Sequence, residues 1–413
     1  MAQVVTGIRA ALDRRLSLED YLVWSTIIAA LMLIPIFRPA FQVGYIVVIL
    51  NSLILLTINR LNIHRNHILA LLALSVFSVV GARLSETPLT APASQILGIS
   101  VLSIYFFSAL TNLDLSLQRW MELYMRAAFA LAVFALITWP AISLYTGDFR
   151  LRAVYTEPSF YINATMPAMG YCLNRFIQER RYGPETLIFF LTYILADSSL
   201  GFLGLMLTAL LSYAPRLRGW QMLAGGAILA ALVGGLYFAS TNFRLRANDT
   251  VVAIATQDVS GTNASTFALL SNVYVTSQSF LEHPLTGIGI GGFAHAYDKY
   301  IGGVTGADLN DLVSMELNRE DGNSMFLRVA TELGLPGLAV LFGFLIVCAR
   351  VEGAPYLQIR NAILPYLLIR MGRGGHYFTV ELYFFVGIYL LNYMQSRAAK
   401  KRPNEQDRGI KGV

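Results

Sequence analysis

Runs of about 17–25 apolar residues recur along the chain, each closed by a short polar break, and that is the length a helix needs to cross the hydrocarbon core. They are Tyr21–Phe37, Phe41–Ile58, Asn66–Ala82, Gln95–Thr111, Met121–Leu144, Ser159–Phe176, Glu185–Ala196, Leu200–Ala214, Trp220–Ala239, Ser324–Val347, Pro355–Arg370 and Tyr377–Met394. Two of them, Glu185–Ala196 and Leu200–Ala214, are short and meet at Asp197-Ser198-Ser199, so they read as two spans or as one broken helix. Between residues 240 and 323 the pattern turns polar, apart from an amphipathic run Phe267–Leu281 that predicts a helix lying on the surface or capping the bundle. The reading is an all-α integral membrane protein with about 12 transmembrane helices. It divides into an N-terminal segment 1–20, a bundle 21–239, a long loop 240–323, C-terminal helices 324–395 and a basic tail 396–413.

Composition excludes a soluble alternative. Of 413 residues, 55% are hydrophobic and only 14% charged, against about 25% charged in soluble domains. Cys172 and Cys348 both lie in apolar runs, so no disulfide framework is expected. The five histidines include no HExxH pair, which argues against a zinc enzyme. The net charge of +6 is no sign of nucleic acid, because Arg397, Lys400, Lys401, Arg402, Arg408 and Lys411 crowd the tail. Basic residues in short loops instead set orientation. Arg9, Arg14 and Arg15, the pairs Arg60/Arg65 and Arg216/Arg218, and the cluster Arg175, Arg180 and Arg181 fall on one side, with the tail. Both termini are therefore expected in the cytoplasm, and the 240–323 loop outside.

The unusual polar residues gather on that outer side. Arg150 and Arg152 precede a span where basic residues are disfavoured, as an anion site or as snorkelling anchors. Glu157-Pro158-Ser159 opens a helix, with Glu157 either a general base or a favourable helix-terminal charge. Asp197-Ser198-Ser199 reads as a cavity wall or a tight hairpin. Arg370, Arg373, His376 and Tyr377 surround three glycines, a plausible phosphate cradle or an ordinary interfacial loop. Arg244 and Arg246 mark the start of the long loop.

Three strings carry a resemblance. Residues 282–293, Glu-His-Pro-Leu-Thr-Gly-Ile-Gly-Ile-Gly-Gly-Phe, resemble the HPLxGxGxGxF element of the O-antigen ligase and Wzy-type polymerase superfamily. Asn323-Ser324-Met325-Phe326-Leu327, followed by Glu332-Leu333-Gly334-Leu335-Pro336-Gly337, is similar to the element that closes the same loop. Arg152 through Ser159 is similar to the RxxGxxxEPS element of the polymerase branch. The resemblance covers roughly residues 145–395. Asn323 stands where ligases usually carry His, which favours the polymerase, and Phe267–Leu281 lacks the arginine many members carry there.

The resemblance implies a C-type glycosyltransferase fold in the bacterial inner membrane. It implies polymerisation of undecaprenyl-pyrophosphate-linked oligosaccharide units at the periplasmic face, without metal or cofactor. Arg152 and Glu157 are the catalytic candidates, for the pyrophosphate and the acceptor proton. Arg150, Arg244, Arg246, His283, Asn323, Arg370, Arg373, His376 and Tyr377 are the substrate-binding candidates. Partners would be the lipid-linked donor and acceptor, membrane lipids, a repeat-unit flippase and a chain-length regulator. The alternatives are a ligase that transfers a finished glycan, and a transporter, which would show internal repeats.

Overall fold

The computed structural model describes residues 17–32, 35–37, 41–213, 241–256, 258–259, 262–304 and 318–409, with a few isolated positions between 227 and 238. The described chain is helical except for a small antiparallel pairing of Pro35–Phe37 (β1) with Phe41–Gln42 (β2). The helices are α1 (Leu18–Leu31), α2 (Val43–Thr57), α3 (Arg65–Leu84), α4 (Thr90–Asn112), α5 (Leu117–Thr146), α6 (Pro158–Glu179), α7 (Gly183–Ala196) and α8 (Ser199–Tyr213). The loop segment holds α9 (Thr241–Thr256), α10 (Ala264–Glu282) and α11 (Phe293–Tyr300), and the chain closes with α12 (Met325–Cys348), α13 (Ala354–Gly372) and α14 (Val380–Gly409). The expected apolar runs are helices, except that Tyr21–Phe37 is helical only to Leu31 and ends in β1, that Phe41–Ile58 begins in β2, and that Trp220–Ala239 lies largely outside the described residues. Among the described residues four helices, α3, α4, α5 and α12, are long and apolar enough to cross a membrane. That makes the chain a helical membrane protein; the count of twelve spans goes beyond it.

Local chemistry sets the ends. Ser17 and Asp20 form a reciprocal capping box on α1. Asn263 accepts from the Ser265 and Thr266 N–H groups to start α10, and Ser324 caps α12 through the Leu327 N–H. Pro158 occupies the first turn of α6, where its missing N–H is harmless. Asp197 adopts a left-handed conformation (φ 42°), so α7 and α8 are separate helices that break at Asp197-Ser198-Ser199. The amphipathic run Phe267–Leu281 falls within α10, which packs on α12.

The core sits around α6, whose residues 161–172 are all buried. It packs on α5, α7, α8 and α13. At Gly170 a β-carbon would lie 3.0 Å from the Ala362 Cα, so glycine is what lets α6 and α13 close. Phe384 and Phe385 of α14 add an aromatic cluster with Trp120 and Tyr124 of α5. Large apolar side chains stay exposed along α2 and α3, among them Leu53, Leu56, Leu72 and Val76. Such a surface is stable against lipid and unstable against water.

The unusual loops meet at one end of the bundle. Leu151 N–H donates to the Leu195 carbonyl at 2.8 Å, which joins the α5–α6 loop to the end of α7. The Tyr155 hydroxyl reaches the Leu31 carbonyl at the end of α1 at 2.6 Å. Gly374 N–H donates to the Asn323 carbonyl at 3.0 Å, and the Ser324 hydroxyl to the Met371 carbonyl at 2.7 Å.

The sequence leaves open whether the glycines of the 287–292 turn admit a sugar or another part of the chain, and the structure shows the second. Gly287, Gly289 and Gly291 all have positive φ (59°, 84° and 83°). A β-carbon at Gly289 would meet the Ser78 carbonyl oxygen at 2.5 Å, and one at Gly291 the Ala91 carbonyl oxygen at 2.8 Å. One at Gly287 would overlap the Glu332 carbonyl. These glycines admit helix backbone from α3, α4 and α12, so the space a side chain would need at these positions is filled by the protein itself.

Candidate functional site

Two polar clusters occupy this end. The first is built on the α5–α6 loop. Arg150 clamps Asp148 with two parallel bonds, Nε to Oδ1 at 3.1 Å and Nη2 to Oδ2 at 3.0 Å. The hydrogen bond from Arg150 holds the Asp148 carboxyl below the usual carboxylate range. Arg150 is thereby committed, although Glu157 and Asp197 also act on it electrostatically. Arg152 is looser: its shortest side-chain hydrogen bond reaches the Thr156 carbonyl at 3.4 Å. Glu157 is exposed at the start of α6, where it accepts from the Ser159 hydroxyl at 3.1 Å and does not cap the helix.

The second cluster surrounds the Arg373–Thr379 turn. Helix α13 runs on to Gly372, two residues past the expected span Pro355–Arg370, so Arg370 belongs to its last turn. Arg370 is buried at 4% exposure, and its Nη2 donates to the Thr379 hydroxyl at 2.7 Å with the Glu381 carboxylate 3.7 Å away. Arg373 is half-buried, and its backbone N–H caps α13 on the Ile369 carbonyl. His376 lies 3.2 Å from Asp321 Oδ2. Burial lowers the His376 pKa; Asp321 opposes this, and Arg328 and Arg370 add to it. Asp321 also accepts the Asn323 N–H at 3.0 Å and so fixes that residue in its left-handed conformation (φ 56°).

Beneath the turn lies an ion pair that the candidate residues did not include. Arg328 and Glu332 stand one helical turn apart on α12, Nε to Oε1 2.9 Å, at 3% and 0% side-chain exposure. Arg328 also donates to the Gly375 carbonyl at 3.0 Å and stacks over the Tyr377 ring at 4.3 Å. Glu332 Oε1 accepts the Phe293 N–H at 3.2 Å. Below it, α12 kinks at Gly334 (φ 60°, ψ −153°). The freed backbone pairs with the 284–289 segment: Ile288 to Thr331 O, Gly289 to Glu332 O and Leu335 to Pro284 O. Ionisable groups inside a spanning helix are costly and mark functional sites by default. The signal in the sequence was two opposite charges at i and i+4 within a 24-residue apolar helix.

The remaining candidates sit on the loop. His283 ends α10 and lies 3.9 Å from Glu282; its carbonyl accepts the Gly287 N–H at 2.9 Å. Arg244 is half-buried on α9. Arg246 lies in the same helix, and its side chain is outside the described residues.

Tyr155, in the loop of the first cluster, is buried; burial raises its phenol pKa, and Glu381 of α14 adds to this. The Tyr45 hydroxyl donates to the Phe378 carbonyl. A cavity of about 640 Å³ opens beside the second cluster, lined by Phe77 of α3, Val329 and Phe344 of α12, Leu367 of α13 and Val386 of α14, with Arg370 its one charged lining residue. Its volume falls in the usual ligand-pocket range of roughly 300–1,000 Å³. Comparison with known proteins returns no matching family model and no matching curated relative.

Proposed function

We propose that the protein polymerises undecaprenyl-pyrophosphate-linked oligosaccharide units into a surface polysaccharide at the periplasmic face of a bacterial inner membrane. One observation carries the reading: an apolar groove among α3, α12, α13 and α14 whose one charged lining residue is the buried Arg370. That shape and charge suit an amphiphile with a long hydrocarbon tail and an anionic head. The family resemblance of the 152–159, 282–293 and 323–337 segments supplies the rest.

In this reading a hydroxyl of the acceptor sugar attacks the anomeric carbon of the donor glycan. The new C–O bond forms as the bond from that carbon to the pyrophosphate oxygen breaks. Glu157, exposed and held only by Ser159, accepts the hydroxyl proton. Arg152, whose guanidinium is only weakly engaged and which lies outside the groove lining, is the candidate cation for the pyrophosphate as it departs. A preorganised cation at developing charge contributes more than the same cation in water, because it needs no reorganisation at the moment of reaction. The Arg373–Thr379 turn and Asn323 order the lipid-linked ends.

Deleting the gene tests the reading. The polymerase reading expects single lipid-linked repeat units to accumulate. Accumulation of full-length lipid-linked chains would instead identify a ligase, and an unchanged glycan pool would remove both.

A further inference from the structure

The Arg370–Glu381 pair is built more loosely than its burial demands. Both side chains are buried, at 5% and 1% exposure, yet their closest N–O approach is 3.7 Å, against about 2.7–2.9 Å for a charge-assisted hydrogen bond. Arg370 Nε and Glu381 Oε2 have no hydrogen-bond partner at all. The contrast with Arg328–Glu332, closed at 2.9 Å, is internal to the same cluster. Arg370 also lines the apolar groove, as its one charged residue.

Several groups act on Glu381, the Thr379 hydroxyl at the start of its own helix among them. The others are Arg370 and Tyr366 on α13, Tyr45 on α2, Tyr124 on α5 and Tyr155 on the α5–α6 loop. Tyr45, Tyr124 and Tyr155 already donate their hydroxyls to the carbonyls of Phe378, Ala164 and Leu31. Arg370 is thus the one cation in the box. If an anionic head group draws Arg370 away, Glu381 keeps only the Thr379 and Tyr366 hydroxyls and has no cation. A buried charge without its partner is strongly unfavourable, and such a group neutralises instead.

We infer that anion capture at the groove is proton-coupled: a lipid phosphate replaces Glu381 as the partner of Arg370, and Glu381 takes up one proton from solvent. The inference rests on the proposed reading that the groove holds a lipid pyrophosphate. Glu381 then acts as a charge-compensating residue and takes no part in bond making. The consequence is a site that binds its lipid more tightly as the pH falls, beyond the ligand's own titration.

Titration calorimetry of the full chain in neutral-lipid nanodiscs, with undecaprenyl pyrophosphate as the probe, tests this. Runs at pH 6, 7 and 8 in two buffers of different ionisation enthalpy count the protons. The wild type is expected to take up about one proton more than Glu381→Gln. The ratio of their dissociation constants should rise up to about tenfold per pH unit, with Glu381→Gln the tighter binder at pH 8. Inorganic pyrophosphate alone should bind far more weakly, which separates a lipid head group from a free anion. Equal proton uptake in the two proteins, or weaker binding by the Gln variant throughout, overturns the inference. Should Glu381→Gln fail to fold, wild-type uptake no larger than the ligand's own titration overturns it without the variant. Absence of binding by the wild type overturns the functional reading itself, and this inference with it.

Discussion

Truncating Arg328 to alanine is the sharpest perturbation of the buried end of the bundle. It leaves the Glu332 carboxylate, at 0% exposure, without its cation. Removing one partner of a buried pair costs about 3–5 kcal/mol. The contact with the Tyr377 ring at 4.3 Å is lost as well, worth about 0.5–2 kcal/mol. These terms share one network and do not simply add, so about 4–6 kcal/mol is expected for Arg328→Ala. The double variant Arg328→Met/Glu332→Leu removes both charges, a change that is often neutral or stabilising by about 1–4 kcal/mol. Against that, the Phe293 N–H loses its acceptor, at about 1–3 kcal/mol. The double variant should therefore lie near the wild type and well above the single one. Cys172 and Cys348 are buried and free, so a thiol-reactive dye reads unfolding as they become exposed on heating. Membrane proteins of this size unfold irreversibly, and the midpoints must be compared at one scan rate. A single variant that melts with the wild type, or a double variant that falls as far as the single one, would refute the argument.

Two further outcomes follow from the same end of the bundle. Gly289→Ala combines positive φ with overlap against α3, whereas Gly147→Ala has positive φ (69°) and open space around it. The Gly147 change should cost only about 1–2 kcal/mol of backbone strain, and Gly289→Ala should cost more and expose the 262–304 segment to protease; equal effects would show that the turn is not docked. Asp321→Asn removes the group that raises the His376 pKa against the burial that lowers it. A histidine with a folded pKa below its unfolded value loses stability as pH falls through the unfolded value, near 6.5, and the loss continues down to the folded pKa. The variant should therefore widen this window toward acid, read as a steeper fall of melting midpoint below pH 6.5; an unchanged profile would contradict the assignment.

Much of the architecture was legible because the membrane imposes length. Among the described residues the expected runs are helices apart from the end of Tyr21–Phe37, which pairs as β1 with the start of Phe41–Ile58, and the break at Asp197-Ser198-Ser199 is real, since Asp197 turns left-handed there. The amphipathic run Phe267–Leu281 is likewise a helix. Legibility failed where long-range packing decides. Arg370 read as the end of a span beside a phosphate-cradling turn, yet it is buried against Thr379 and Glu381. Glu332 was visible within a motif, and Arg328 as a charge in an apolar run. Their convergence on Phe293, Gly375 and Tyr377 depends on a kink at Gly334 that only the fold reveals. The role of the glycine-rich turn stayed open because positive φ has the same spelling whether the neighbour is a sugar or a helix.

The central claim is that this chain joins lipid-linked units at the end of the bundle that holds Arg152, Glu157 and the Arg373–Thr379 turn. The most direct measurement is elongation by the purified protein in nanodiscs, with a lipid-linked oligosaccharide as the only glycan substrate. The account predicts a ladder of products that lengthen one unit at a time, with release of undecaprenyl pyrophosphate. It predicts that Arg152→Lys slows the ladder by about 10²–10³-fold, as for loss of a preorganised contact to developing charge, while its melting midpoint stays at the wild-type value. A substrate left at one unit under these conditions, or a ladder unchanged in Arg152→Lys, would contradict the account.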